Sequence, residues 1–175
     1  MRIVSLVPVG RVDRAHLEFL SEGLASRLRV ACSIQPEGFD LAFAYNPLRG
    51  QYHSTEILKR LLQNSASESW RVLGVTEADL YIPILTFVFG EAQLSDHGAV
   101  VSMHRLRQEF YGMPTDHQLL GERLLKESLH ELGHTFGLRH CSDYRCVMSP
   151  SHAVERIDLK LAEFCEGCAK AIGTE

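Results

Sequence analysis

The segment His130-Glu131-Leu132-Gly133-His134-Thr135-Phe136-Gly137-Leu138-Arg139-His140 gathers groups that can bind a metal and move a proton. On an α-helix, side chains four residues apart project from one face, one turn apart. His130 and His134 therefore form a two-imidazole clamp suited to zinc. Glu131 stands beside the first imidazole, close to the metal without being a ligand, where a carboxylate can act as general base. Gly137 can take a positive φ, end the helix and turn the chain, so that His140 returns as a third ligand. Three protein ligands leave the fourth zinc position to water, which distinguishes a hydrolytic site from a structural one. The expected chemistry is amide-bond hydrolysis. Zinc would lower the pKa of its water toward about 7, and Glu131 would relay the water proton to the leaving amine. The bland alternative is a helix with partly exposed histidines and a C-cap glycine. Chance placement of these residue types at these offsets is on the order of one in ten thousand, which argues against it.

A second group of ligand-type residues follows at once. Cys141 comes directly after the third histidine, Cys146 after a gap of four, and Cys165 and Cys168 form a Cys-x-x-Cys pair. Two short chelating loops are enough for a closed tetrahedral thiolate site, which would be structural and would staple the chain after His140 to the last helix. Two disulfides, or four unrelated thiols, are the alternatives. The absence of an export signal favours metal over disulfides. Cys32 stands apart and reads as a small buried apolar residue. Met148, eight residues past His140, reads by itself as a core methionine.

Taken together, the His-Glu-x-x-His-x-x-Gly-x-x-His motif, Met148 and the four cysteines resemble the archaemetzincin (archaelysin) branch of the metzincin metallopeptidases. Phe87-Val88-Phe89-Gly90-Glu91-Ala92 and Val101-Ser102-Met103-His104-Arg105-Leu106 are also similar to that family. The resemblance implies a zinc metallopeptidase with two zinc ions, one catalytic on His130, His134 and His140 and one structural on Cys141, Cys146, Cys165 and Cys168. It further implies a methionine turn at Met148 and an antiparallel edge strand within Thr86–Ala92 that binds an extended peptide above the metal. Some metzincins carry an assisting tyrosine two residues past the methionine. Pro150 stands there in this chain, and Tyr144 is expected to face solvent.

The elements that must position these groups can be read from periodicity. Arg2–Pro8, Arg29–Ile34 and Arg71–Thr76 are expected strands. Asp13 is expected to cap a helix over 14–28, with Leu17, Leu20, Leu24 and Leu28 on its inner face. Ser54 or Thr55 is expected to cap another helix, with Ile57, Leu58, Leu61 and Leu62 inward. Thr86–Ala92 and Ala99–Leu106 suggest a hairpin. Thr115 or Asp116 opens the helix that carries the first two histidines, and a last helix spans Glu155–Ile172. Helices alternating with strands imply an α/β fold. We expect a mostly parallel twisted sheet of about five strands with an antiparallel edge, an active-site helix and a C-terminal helix.

A chain of 175 residues fits one compact domain over 1–175, with 1–137 as sheet and helices and 138–175 as a smaller C-terminal part. The net charge of −4 offers no basic face for nucleic acid or an anionic membrane. The short apolar run after Met1-Arg2 is broken by Arg11, Asp13 and Arg14, so it reads as a strand and not an export leader. The expectation is a cytoplasmic monomer acting on a peptide or protein substrate. Arg105 and Arg107 could face substrate, whereas Asp143, Asp158 and Glu163 are expected on solvated faces. An occluding loop at Phe39–Gly50 or Glu109–Thr115 would leave a zinc-binding protein without turnover.

Overall fold

The computed structural model describes residues 2–65 and 68–173. In chain order the elements are β1 (Ile3–Val9), α1 (Arg14–Leu28), β2 (Ala31–Ile34), β3 (Tyr45–Asn46), β4 (Gln51–His53), α2 (Ser54–Gln63) and β5 (Arg71–Thr76). They continue with β6 (Leu80–Tyr81), β7 (Gly90–Ala92), β8 (Gly98–Ser102), α3 (His117–Thr135), α4 (Val154–Leu159) and α5 (Glu166–Ile172).

Five strands form the main sheet in the order β2-β1-β5-β8-β7. The β1–β2, β1–β5 and β5–β8 pairs are parallel, and β7 runs antiparallel to β8 at one edge. Strand side chains alternate between faces, and here each face is covered. Leu6, Leu73 and Val101 pack with Leu17, Leu20 and Leu24 of α1 and Leu124 and Leu129 of α3. Val9, Val72 and Val100 pack against Ile57, Leu58 and Leu61 of α2. A fully buried leucine or valine of this kind contributes about 1.5–3 kcal/mol.

Of the three side-chain caps expected from sequence, two form. Asp13 accepts the backbone N–H of Ala15, and Asp116 accepts that of Leu119. At α2 the expected serine/threonine cap is not formed. Ser54 is already helical, and Ser54 Oγ and Thr55 Oγ1 both donate to the Glu91 carboxylate on β7. The half-buried Glu91 carboxylate turns both hydroxyls toward β7 and away from the helix end, because a hydrogen bond to a charged acceptor is roughly twice as strong as a neutral one.

Other expectations are corrected as well. β2 begins at Ala31 because Arg29 sits in the left-handed region at φ 54°. The hairpin is shorter than its apolar runs, with only Gly90–Ala92 opposite Gly98–Ser102. Leu106 instead closes a tight turn through its N–H to Met103 O. A second, three-stranded sheet in the order β3-β4-β6 lies beyond what periodicity could indicate. The expected single helix over Glu155–Ile172 is two short helices. Between them Lys160 turns extended and points inward, Leu161 N–H donates to Arg145 O, and Val147 N–H donates to Glu163 O. This ladder ties the segment after α4 to the segment carrying Met148. Among the described residues no helix is long and apolar enough to cross a membrane.

Candidate active site

α3 presents His130, Glu131 and His134 near its C-terminal end, and Gly137, at φ 95°, lets the chain reverse. The N–H of Gly137 donates to His134 O and that of Leu138 to Gly133 O, which closes the helix before the chain departs toward His140. The three rings then converge, with centroids 4.7, 5.3 and 5.1 Å apart. One nitrogen from each lies within 4.8 Å of the others. His130 Nε2 and His134 Nε2 are 3.2 Å apart. Two ligands on tetrahedral zinc, at bonds of about 2.0–2.1 Å, would be separated by about 3.3 Å. The donor set therefore fits that ion.

The remaining ring nitrogens fix the tautomers. His130 Nδ1 donates to Val147 O at 2.8 Å, and His134 Nδ1 donates to Leu138 O at 2.7 Å. A carbonyl can only accept, so both Nδ1 atoms carry the proton and both Nε2 lone pairs face the cluster. Burial depresses His130 to about 3, with the nearby Lys160 cation as a further cause. Burial lowers His134 and His140 too. Neutral imidazoles are the form that binds a metal.

Glu131 lies against β7. A Cβ on Gly90 would sit 2.7 Å from Glu131 Cγ and 2.9 Å from its Oε1, so only glycine leaves room for the carboxylate there. Burial, then the neighbouring Glu127 and Glu91, raise its pKa well above the ordinary carboxylate value. Beneath the helix, Met148 is fully buried, and a Cβ on Gly133 would overlap its Sδ. This close approach is why the methionine fits directly under α3.

The thiols of Cys141, Cys146, Cys165 and Cys168 likewise lie within 4.8 Å of one another, all free. Cys141 Sγ and Cys165 Sγ are 3.8 Å apart, against the about 3.8 Å expected for two thiolates at about 2.3 Å from a tetrahedral zinc. Backbone donors enter the cluster: Cys165 N–H reaches Cys146 Sγ at 3.3 Å, and the Cys168 backbone pulls the Cys165 thiol below its ordinary value. Cys32 lies outside, half-buried in β2, where burial raises its thiol.

The imidazoles and Glu131 open onto a cleft of about 440 Å³ between the chain preceding β7 and the segment Pro150–His152. Neither Phe39–Gly50 nor Glu109–Thr115 lines it. Arg105 and Arg107 do not face it. Arg105 makes a two-pronged ion pair with Asp79 at 2.7 and 2.8 Å, and Arg107 pairs with Glu77. Tyr144 is exposed, as expected, and Glu163 pairs on the surface with Arg27. Asp158 is exposed, as expected, and receives both prongs of the buried Arg123.

Comparison with known proteins gives the same assignment. The family model described as peptidase family M54 matches residues 42–174. An archaemetzincin of Methanocaldococcus jannaschii is 43% identical over 169 residues, 97% of this chain and 92% of the relative. This chain belongs to peptidase family M54. The crystal structure of archaemetzincin from Methanopyrus kandleri superposes with a TM-score of 0.86 at 36% identity, covering 99% of this chain and 94% of that one. The archaemetzincin from Archaeoglobus fulgidus, complexed with malonate, gives 0.83 at 35% identity over 97% and 99%. The protein is thus a zinc metallopeptidase with the mixed α/β archaemetzincin fold.

Two residues of this archaemetzincin-family site escaped the sequence reading. Glu127 and Lys160 are 3% and 2% exposed, and Lys160 Nζ lies 3.3 Å from Glu127 Oε1 and 3.5 Å from His130 Nδ1. Glu127 had a signal, since it precedes His130 by three residues and Glu131 by four and so shares their helix face. Lys160 had none. Nothing local in its sequence distinguishes it from a surface lysine.

Proposed function

We propose that the protein hydrolyses peptide bonds with a water activated by one zinc, that Glu131 is the general base, and that a second, structural zinc holds the C-terminal part together. One observation carries the reading. Three imidazole nitrogens lie within 4.8 Å of one another beside a buried carboxylate, on a cleft that runs along the edge strand β7.

His130, His134 and His140 would hold the catalytic ion, with Val147 O and Leu138 O keeping two of the rings aimed. Zinc, when bound, supplies a water of pKa near about 7 and a Lewis acid for the scissile carbonyl. With the ion in place, Glu131 would accept the proton of the attacking water and pass it to the leaving amine. Its place against Gly90 sets it beside the edge strand β7. The outer edge of β7, antiparallel to β8, offers backbone groups with which an extended substrate can pair. Met148 supplies an apolar floor, and Gly137 the turn that returns His140. Cys141, Cys146, Cys165 and Cys168 would hold the second zinc, without an open position.

Metal analysis should return two zinc per chain, and Glu131→Gln should keep both while cutting peptide cleavage by about 10²–10⁴-fold. Equal cleavage by both proteins would remove Glu131 from the chemistry. One zinc or none would remove a site.

A further inference from the structure

We infer that the turn Ile82–Phe87, held from behind by Arg49, is the specificity wall of the cleft and selects peptides with a large apolar side chain beside the scissile bond. The inference rests on the hydrolase reading above.

This turn joins β6 to the edge strand and faces the imidazoles across the cleft. It leaves large apolar side chains in water, with Ile84 86% and Leu85 49% exposed. Its sequence, Ile82-Pro83-Ile84-Leu85-Thr86-Phe87, contains no charge. Exposed leucines are ordinary on mobile loops, but this backbone is tied down. Arg49 Nη2 donates to Leu85 O at 2.7 Å and Thr86 O at 3.4 Å, and Nη1 reaches Ile82 O at 3.5 Å. The same guanidinium stacks on the Tyr81 ring at 4.1 Å, and Gln51 Nε2 donates to Thr86 O at 3.0 Å. One side chain thus satisfies the carbonyls of the turn and fixes its shape before anything binds.

Phe87 is also set in place. The Arg105 guanidinium lies 4.3 Å from its ring centre, and Phe89 meets it edge-on at 5.1 Å. Arg105 is itself held by Asp79. Leu85, Phe87 and Phe89 therefore form a rigid apolar surface continuous with the imidazole cluster, in the same cleft. A pre-ordered wall removes the ordering cost that a loose loop would add on binding, so more of the gain from its apolar area is kept as affinity. A charged substrate side chain would lose its hydration here and gain no partner from the wall.

The test uses the full chain, zinc-loaded, carrying Glu131→Gln to prevent turnover. Fluorescence anisotropy would be measured with end-capped peptides identical except for one central residue: Leu, Phe, Ala, Asp or Lys. Leu and Phe peptides should bind about tenfold tighter than Ala, with Asp and Lys weakest. Leu85→Ser, an exposed change that leaves the fold intact, should erase most of the Leu-over-Ala preference with zinc content and Tm unchanged. Arg49→Leu should weaken Leu and Phe peptides while the Ala peptide changes little. In the active protein, Leu85→Ser should lower kcat/KM for the Leu and Phe peptides toward the value for the Ala peptide. Equal binding of all peptides, tighter binding of Asp or Lys, or a preference that survives Leu85→Ser would overturn the inference. Should the active protein cleave nothing while the binding preference holds, the hydrolase reading fails and the wall stands. Cleavage without side-chain preference does the reverse.

Discussion

Lys160→Met removes the cation that faces Glu127 while keeping a side chain of similar length and volume. Both partners are buried, at 2% and 3% exposure, with Nζ and Oε1 3.3 Å apart. The substitution leaves Glu127 without a counter-charge, one helical turn from the equally buried Glu131. Breaking one side of a buried pair costs about 3–5 kcal/mol. At about 2–4 °C per kcal/mol for a chain of this size, Tm should fall by about 6–20 °C. Lys160→Met/Glu127→Leu replaces both charges with apolar groups, lifts both desolvation costs, and should return to within about 1 kcal/mol of the parent. Urea denaturation of the parent, both single variants and the double variant, at fixed free zinc, closes the cycle. The pH dependence adds an independent sign. Burial raises the Glu127 pKa above 4.5, so ionised Glu127 destabilises the fold. With Lys160 removed it rises further, and the penalty should shrink as falling pH protonates the group. A single variant within about 1 kcal/mol of the parent, or a double variant no better than the single, would refute this account of the pair.

Three further outcomes follow from the site. Gly133→Ala would push a methyl into Met148 Sδ. It should cost about 1–3 kcal/mol and weaken zinc at the histidines, and an unchanged zinc titration and Tm would contradict the role given to that close approach. In the metal-free protein, burial holds His130 down at about 3, so its imidazole NMR signals should stay flat from pH 7 to about 4. The folded value lies below the unfolded 6.5, so this group's contribution to stability is complete above 6.5 and is lost as pH falls toward about 3. A midpoint near 6.5 would refute it. Cys165→Ser should release the zinc proposed at the thiols and also weaken the one proposed at the histidines. The Val147–Glu163 and Leu161–Arg145 hydrogen bonds link the thiol cluster to the Val147 carbonyl that aims His130, and independent loss of one ion would show the sites uncoupled.

The legible part of this protein was the part decided by short-range geometry. His130 and His134 share a face because the helix repeat places them there, and Asp116 caps that helix through a bond to its own third residue. Gly137 ends it through a φ that other residues rarely adopt. The cysteines come as two closely spaced pairs, and the parallel strands announce themselves as apolar runs. Each of these follows from residues within a few positions of one another, so the order of amino acids determines them. What remained hidden depended on partners far away in the chain. The strands β3, β4 and β6 are two or three residues long, too short for any periodicity, and exist only because they pair with one another. Lys160 looks like any helical surface lysine until Glu127, 33 positions earlier, draws it inward and breaks the expected C-terminal helix in two. Arg49 acquires its place only because the turn at Ile82–Thr86 folds over it. Burial of a charge and satisfaction of a distant carbonyl are properties of the packed molecule, and only the tertiary structure decides them.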